Sequence, residues 1–238
     1  MIWTWILICV QLAIAESMTL STPFMGDFVI EEAGKGKRAV IFVHGENETG
    51  DHMARLSDFF ASRKLRTVHF DLAGSGERAS EDAVYPFMHL EVQAIIKHLR
   101  ADGVRDVQCV GSGFGAILCM QAISETTPLS QIGIINPVHT KFNQSLFSNI
   151  DAYPKMHPIF VIMGSDTIGE HCLARLEEHR NVLLFTSSSR TPGMELLITH
   201  PDLEEHLRDW VWKKIPDRRA PPIDMTHETT LKGEPLPF

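Results

Sequence analysis

Short apolar runs alternate with segments of helical periodicity along most of the chain. Continuous apolar runs such as RAVIFVHG, bounded by turn residues, are typical of strands buried on both faces. An alternating stretch predicts a strand at residues 24–33, and apolar runs predict strands at 38–45, 65–71, 104–110, 132–136, 158–164 and 181–186. Helical spacing predicts helices that begin at Asp51 and Asp82 and helices over 114–125, 169–178 and 201–215. Because strands and helices alternate, the pattern favours an α/β fold, a mostly parallel sheet flanked by helices on both faces.

The helix that begins at Asp82 is predicted from apolar residues at helical spacing, with Val84 and Phe87 among those that face the core. Pro86 falls in the first turn of this helix, where a missing backbone N–H is tolerated.

The two ends of the chain differ from its central region. Residues 1–15 carry no charge, are mostly apolar and finish with Ala13 and Ala15 in a small-x-small pattern, which is typical of a cleaved signal peptide. A buried N-terminal strand is the alternative interpretation. The apolar run is shorter than the roughly 20 residues that span a bilayer, so no stable membrane anchor is expected.

Residues 216–238 are rich in proline and polar side chains and lack apolar periodicity, which predicts a flexible C-terminal tail. The sequence therefore predicts one domain over residues 16–215, secreted or periplasmic after removal of the signal peptide.

Charge and composition argue against several kinds of partner and cofactor. The formal net charge of −8 repels nucleic-acid phosphates on average, so no nucleic acid is expected to bind. The histidines are scattered and the cysteines include no CxxC pair, so no metal and no cofactor are expected. Cys109 and Cys119 are interpreted as small buried apolar residues; one disulfide is possible, but nothing in the spacing supports it. The oligomeric state stays open.

Four segments stand out in chain order: VHG at 43–45, DLAGSG at 71–76, a strand-turn-helix at 107–119 and VIMGSD at 161–166. Together they resemble the α/β-hydrolase superfamily. The resemblance covers about residues 24–215 and implies that the oxyanion loop follows the first segment, the nucleophile lies in the turn of the third, and the acid ends the fourth. The interval between the strands at 132–136 and 158–164 is too short for a helical lid, so a small, lidless member is implied.

The nucleophile turn is the most informative of these segments. The family pattern is G-x-S-x-G, and this chain has Gly-Ser-Gly-Phe-Gly at 111–115, so the resemblance aligns Gly113 with the nucleophile. Glycine adopts the backbone angles of the turn but has no oxygen that can attack a carbonyl. Ser112 is the fallback nucleophile, although centring the motif on it would put Val110 and Phe114 where glycines belong.

The other two positions of a Ser-His-Asp triad follow from the same resemblance. The loop after the last strand carries the base in the family and aligns Pro192 with it, and proline cannot accept a proton. His200 is the fallback base, and its alternative interpretation is a surface histidine in front of a helix. Asp166 matches the acid, whose role is to orient a histidine.

The predicted pocket and oxyanion loop consist of Gly45, Glu46 and Phe114. By resemblance, the backbone amides of Glu46 and Phe114 form the oxyanion hole. Glu48 lies close behind Glu46, and a carboxylate near a developing oxyanion would oppose its charge; Glu46 would avoid this only by pointing to solvent.

The residues 111–116 also satisfy G-x-G-x-x-A, a dinucleotide fingerprint. That fingerprint needs an acid at the end of the next strand to hold the ribose, and this strand ends in Asn136. A nucleotide-binding domain is the minor alternative.

These observations predict an exported, non-catalytic protein of α/β-hydrolase fold that binds a small molecule or a protein. The main alternative is an active, esterase-like serine hydrolase with a rearranged triad of Ser112, Asp166 and His200.

Overall fold

A computed structural model describes residues 15–124, 126–138, 140–141, 144–154, 157–165, 169–212 and 223–224. Most of the predicted signal peptide, most of the predicted tail and Asp166 lie outside these residues. The strands are β1 (Glu16–Thr22), β2 (Gly26–Ala33), β3 (Arg38–Val43), β4 (Arg66–Phe70), β5 (Asp106–Ser112), β6 (Gln131–Ile135), β7 (Thr140–Lys141), β8 (Gln144–Ser145), β9 (Ile159–Gly164), β10 (Val182–Ser187) and β11 (Ile223–Asp224). The helices are α1 (Gly50–Ala61), α2 (His89–Ala101), α3 (Phe114–Gln121), α4 (Leu146–Ala152), α5 (Gly169–Glu177), α6 (Glu195–Thr199) and α7 (Pro201–Val211).

Among the described residues, nine strands form one sheet in the order β1-β2-β4-β3-β5-β6-β9-β10-β11. β2 pairs antiparallel with both β1 and β4, and every other neighbouring pair is parallel. β7 and β8 form a separate hairpin. The predicted α/β fold with a mostly parallel sheet is confirmed.

Two apolar clusters cover the two faces of the sheet. One face packs against α1 and α7, with Phe60 and Trp210 among the buried side chains. The other packs against α2, α3 and α4, with Ile95, Ile117 and Phe147 buried. β5 lies between β3 and β6 and is buried from its second residue onward, so its carboxyl end presents the following turn at the middle of the sheet edge.

The second helix begins later than its apolar pattern predicts. Tyr85–Phe87 form a single 3-10 turn, and α2 starts at His89. Val84 and Phe87 are exposed, so the prediction that they face the core is wrong. Pro86 lacks the N–H that would continue a helical hydrogen-bond ladder, which explains why the regular helix forms only after it.

The two ends of the sheet contain strands that the apolar pattern does not predict. β1 pairs with β2 over its whole length, and most of its side chains are exposed or half-buried. β11, inside the segment predicted as a tail, pairs with β10 at Phe185 and Thr186. The helix predicted over 201–215 ends at Val211 and is preceded by the separate short helix α6. No helix within the described part of the chain is both long and apolar enough to span a bilayer.

A disulfide joins Cys109 of β5 to Cys119 of α3, with the Cα atoms 5.8 Å apart. Both residues are fully buried, as predicted, but their interpretation as unbonded apolar residues is wrong. α3 turns back over β5 directly after the strand ends, which brings the two positions within the distance that a disulfide requires.

Candidate functional site

The turn between β5 and α3 has the backbone of a nucleophile elbow. Gly113 caps α3 with φ 49° and ψ −115°, a conformation that residues with a side chain rarely adopt. The space beside it is open, because a Cβ at this position would lie 3.8 Å from the Gly45 Cα and 4.0 Å from the Asn136 carbonyl oxygen. A serine side chain would fit here, but the chain supplies none.

The two glycines that flank this position are required by packing. A Cβ on Gly111 would overlap the backbone of Gly115 and Ala116, and a Cβ on Gly115 would overlap the carbonyl oxygens of Val43 and His44. α3 can therefore approach β3 and β5 closely only because both positions lack side chains. The elbow keeps the packing of the family pattern at positions 111 and 115.

Ser112, the fallback nucleophile, lies inside the protein. Its side chain is 1% exposed, and its Oγ has no hydrogen-bond partner among the described residues. His200, the fallback base, is half-buried at the start of α7, where its Nδ1 lies 2.9 Å from Thr199 Oγ1 and 3.3 Å from the Leu196 carbonyl oxygen. The structure does not bring Ser112 and His200 into a hydrogen bond.

The loop between β10 and α6 lies beside Ser112 but directs no basic side chain at it. Pro192 is exposed. Gly193, with φ 54°, is the loop position that faces the elbow, because a Cβ there would lie 3.5 Å from Ser112 Oγ. The same Cβ would overlap the carboxylate of Glu48. The space that a side chain at position 193 would fill is thus already occupied.

Glu48 ties the loop after β3 to the loop after β10. One carboxylate oxygen accepts a hydrogen bond from the Gly45 N–H at 2.6 Å, and the other accepts one from the Met194 N–H at 2.6 Å. Hydrogen bonds from backbone N–H groups to a carboxylate are among the stronger ones in proteins. The half-buried Glu48 side chain therefore holds the two loops together across the elbow.

Asn136 forms a second clamp on the same loop. Its Nδ2 donates to the carbonyl oxygens of Thr191 and Gly193, both at 3.0 Å, and its Oδ1 accepts from the Gly164 N–H at 2.8 Å. The residue is 2% exposed and has φ 43°, a conformation that asparagine tolerates better than most residues. The ends of β6 and β9 and the loop after β10 are joined through this one side chain.

Asp166, the predicted acid, lies outside the described residues. The last described residue before it, Ser165, donates its N–H to the Ser189 carbonyl oxygen at 2.9 Å. The end of β9 therefore adjoins the loop that contains Pro192.

The VHG and DLAGSG segments are linked through His44. Its Nε2 accepts the Leu72 N–H at 2.9 Å and lies 3.1 Å from Ser75 Oγ, and its Nδ1 lies 2.7 Å from the Gly45 carbonyl oxygen. Burial lowers the pKa of His44, and the Nε2 bond to a backbone N–H requires the neutral ring. His44 is 1% exposed, so it joins two loops rather than facing a ligand.

Asp71 has a comparable role one loop further along. Its carboxylate accepts the Gly50 N–H at 2.7 Å and the Glu77 N–H at 2.9 Å. A Cβ on Gly76 would overlap this carboxylate. The DLAGSG segment therefore serves to anchor the start of α1.

Glu46 turns towards a cation. The residue is exposed, and its carboxylate lies 2.7 Å from the Lys141 ammonium of β7. Phe114 begins α3 with its side chain 3% exposed in the core. Within the described ranges, no group of three or more histidine, cysteine, aspartate or glutamate side chains is arranged to hold a metal ion.

Sequence reasoning places Glu48 beside the oxyanion loop but does not predict that it joins two loops, and it does not identify Asn136 as a member of this site. Their only sequence signals are a carboxylate three residues after a strand-HG segment and an asparagine directly after a strand. Neither signal distinguishes a loop clamp from an ordinary turn residue.

The strand order and the glycine-lined elbow define an α/β-hydrolase fold, and solved structures share it. An esterase of Pyrococcus furiosus is 14% identical, with a TM-score of 0.71 over 85% of this chain and 91% of that one. An esterase of Exiguobacterium antarcticum is 12% identical, with a TM-score of 0.62 over 83% and 100% of the two chains. An α/β hydrolase of Novosphingobium aromaticivorans is 12% identical, with a TM-score of 0.57 over 73% and 90%. No family model and no curated protein matches the sequence.

Proposed function

We propose that this chain is an exported protein of α/β-hydrolase fold that does not hydrolyse esters and uses the cleft at its elbow to bind a small molecule or a protein. The observation that carries the proposal is Gly113. The elbow has an open position for a nucleophile, and the residue at that position has no side chain.

Two further contacts support the absence of ester hydrolysis. Ser112 Oγ is buried without a described partner, so no described base is in place to take its proton. The carboxylate of Glu48 occupies the space beside Gly193 that faces Ser112. A fixed negative charge so close to the elbow would oppose the oxyanion of an acyl-transfer intermediate.

Export is supported by the sequence pattern of residues 1–15 and by the Cys109–Cys119 disulfide. Structural disulfides form and persist mainly in oxidising compartments such as the secretory pathway and the periplasm.

The decisive experiment treats the purified protein with a fluorophosphonate probe and measures its hydrolysis of p-nitrophenyl acetate. Both readouts require an activated nucleophile, so the wild type should show neither labelling nor hydrolysis above buffer. The Pyrococcus furiosus esterase serves as the positive control. Labelling of the wild type that disappears in Ser112→Ala would overturn the proposal in favour of the rearranged triad.

Ligand binding in the cleft is tested separately with a fragment library and a thermal-shift readout. Gly113→Trp places a large ring in the open space beside Gly45 and should abolish the shifts produced by cleft binders. Ile198→Trp, at an exposed position on α6, is the matched control for added bulk. Shifts that survive Gly113→Trp would place the ligand elsewhere.

A further inference from the structure

β1 forms one edge of the main sheet. It pairs with β2 over residues 16–22, and no other described strand pairs with it. At the opposite end of the sheet, β11 pairs with β10 and covers part of that edge. The outward N–H and C=O groups of β1 therefore have no strand partner in the described part of the chain, and such an edge accepts an added strand.

This edge lacks the features that usually prevent pairing with another strand. Natural edge strands are protected by proline, lysine, a β-bulge or a very short length. β1 is seven residues long, contains no proline, and has Glu16 as its only charged residue. Its register with β2 advances one residue at a time, without a bulge. Nothing within β1 therefore prevents a second strand from pairing with it.

β1 leaves apolar surface uncovered at the edge. Met18 and Leu20 pack against the core cluster that contacts α2, but both remain only half-buried. Thr19, between them, is exposed on the other face of the sheet, where it lies beside Val29 of β2. A strand added at this edge would cover more of the two apolar side chains, which favours its binding.

The sequence of β1 is a chemical palindrome centred on Thr19. In an antiparallel pair with a two-fold axis at this residue, Met18 of one copy lies opposite Leu20 of the other. Ser17 likewise lies opposite Ser21, and Thr19 lies opposite its own counterpart. Each apolar side chain thus meets an apolar one, and each hydroxyl meets a hydroxyl.

Other registers of the same pair fit less well. A shift of one residue puts the apolar side chains of the two copies on opposite faces. A shift of two residues puts Glu16 opposite Leu20 or brings Pro23, which lacks an N–H, into the pairing. With the axis at Thr19, the two Glu16 carboxylates lie at opposite ends of the pair, about 20 Å apart along the strands. Salt screens most of the repulsion at that distance.

We propose that β1 is a dimerisation edge and that a second copy of this chain occupies it. The two β1 strands pair antiparallel about a two-fold axis at Thr19 and join the two sheets into one. Seven residues per copy are fewer than the roughly 20 of a standard interface, so the dimer is weak and reversible. β1 lies four strands away from β5, whose end forms the elbow, so the dimer does not depend on the absence of ester hydrolysis.

Sedimentation velocity of the full chain, from micromolar to millimolar concentration, measures this association. The wild type should change from one chain to two as its concentration rises. Thr19→Lys should weaken the dimer at least about tenfold, because two ammonium groups then face each other at the axis. The added lysine also reduces the net charge of −8 and with it the long-range repulsion between copies. A weaker dimer would therefore report the direct contact between the two side chains.

A charge-swapped pair tests the register and the identity of the occupant. Thr19→Glu alone should weaken the dimer as Thr19→Lys does, and an equimolar mixture of the two variants should restore it, because opposite charges then meet. Val29→Lys is the matched control, since Val29 is 44% exposed beside Thr19 but lies one strand away from the edge. Its lysines would be about 14 Å apart in the dimer, so it should associate as the wild type does. Circular dichroism checks that each variant is folded.

A wild type that stays a single chain over the whole concentration series would overturn the proposal. A dimer that Thr19→Lys does not weaken, or that Val29→Lys weakens equally, would place the contact elsewhere and overturn it too. A mixture that associates no better than its two components would contradict the pairing of Thr19 with its own counterpart.

Discussion

Asn136 offers the sharpest test of how the site is held together. Its side chain makes three described hydrogen bonds, two to the loop after β10 and one to the end of β9. All three partners are backbone groups. Asn136→Ala should therefore destabilise the protein through the loss of these bonds and through a change in backbone strain at position 136.

The size of the effect follows from the contacts. Each buried hydrogen bond contributes about 1 kcal/mol net, so the three together predict a loss of about 3 kcal/mol. The backbone at position 136 has φ 43°, which costs alanine about 1 kcal/mol more than asparagine. The expected total for Asn136→Ala is about 4 kcal/mol.

Asn136→Gly separates the two terms, because glycine adopts a positive φ freely while it also loses all three hydrogen bonds. This variant should be about 1 kcal/mol more stable than Asn136→Ala. Asn181→Ala is the matched control, since Asn181 is also buried and its amide donates one described bond, to the His157 carbonyl oxygen at 3.1 Å. It should cost about 1 kcal/mol.

The measurement is urea unfolding followed by circular dichroism, with the free energy of unfolding taken from variants whose m-values agree. A loss below about 1 kcal/mol for Asn136→Ala, or a glycine variant less stable than the alanine variant, would refute the reasoning.

Four further predictions concern other contacts. Gly115→Ala should destabilise the protein by about 3 kcal/mol, because its Cβ would overlap two carbonyl oxygens of the neighbouring strand and loop; equal thermal stability would contradict this. Glu48→Ala should lower the free energy of unfolding in urea by about 2 kcal/mol, because two charge-assisted hydrogen bonds are lost. A decrease no larger than that caused by replacing an exposed glutamate with alanine would be evidence against a role for Glu48 in joining the two loops. Cys119→Ser should lower the free energy of unfolding by about 2–3 kcal/mol, the amount expected for a short disulfide loop, and reductant should then have no further effect. Burial raises the pKa of Glu91 to about 7 from the ordinary value of 4.5, so its stabilising contribution is present below pH 4.5 and is lost as the pH rises through 7. Glu91→Gln should lack this pH dependence, so the stability of the wild type relative to the variant should fall between pH 4.5 and 7. Parallel stability-versus-pH curves would show that the pKa of Glu91 is the same in the folded and unfolded states.

The fold was predictable where burial on both faces leaves a strong signal. β3 and β5 are continuous apolar runs because helices cover them on both sides, and such runs stand out in a sequence. β1 has a partner on only one side and is largely solvent-exposed, so its composition resembles a polar loop. Its strand conformation comes from pairing with β2, a contact that local sequence does not encode.

The error at Val84 and Phe87 has a local physical origin. Helical spacing alone does not show where a helix begins, and both residues fit an apolar face of α2 if the helix is extended backwards. In the structure Phe87 stacks on Phe24 with ring centroids 4.7 Å apart, and both rings are exposed. Phe24 lies between β1 and β2 at the edge of the sheet. The contact between the two rings could therefore not be inferred without knowing that β1 and β2 form this edge.

At the site too, some features follow from the local sequence and others only from contacts between distant parts of the chain. The glycine pattern at 111–115 predicts the elbow, because each glycine there is required by the turn or by close packing. Glu48 and Asn136 act by joining loops that are far apart in sequence, and their partners are backbone groups that carry no residue-specific signal. Only the folded chain reveals these two clamps.

The three positions of the elbow at which this chain has glycine differ in why glycine fits them. Positions 111 and 115 exclude a side chain because backbone atoms fill the space, whereas position 113 has open space and only a backbone angle that glycine adopts without strain. A serine at 113 would have to accept that strained angle, and the surrounding packing would hold it there. Glycine in place of serine at position 113 therefore requires no change in the fold around it. Because glycine adopts the backbone angles at position 113 without strain, the turn carries no strain there. The Glu48 carboxylate nearby accepts hydrogen bonds from two backbone N–H groups. The proposed absence of ester hydrolysis is compatible with a stable elbow, because position 113 is the one glycine of the turn whose side-chain space the packing leaves open.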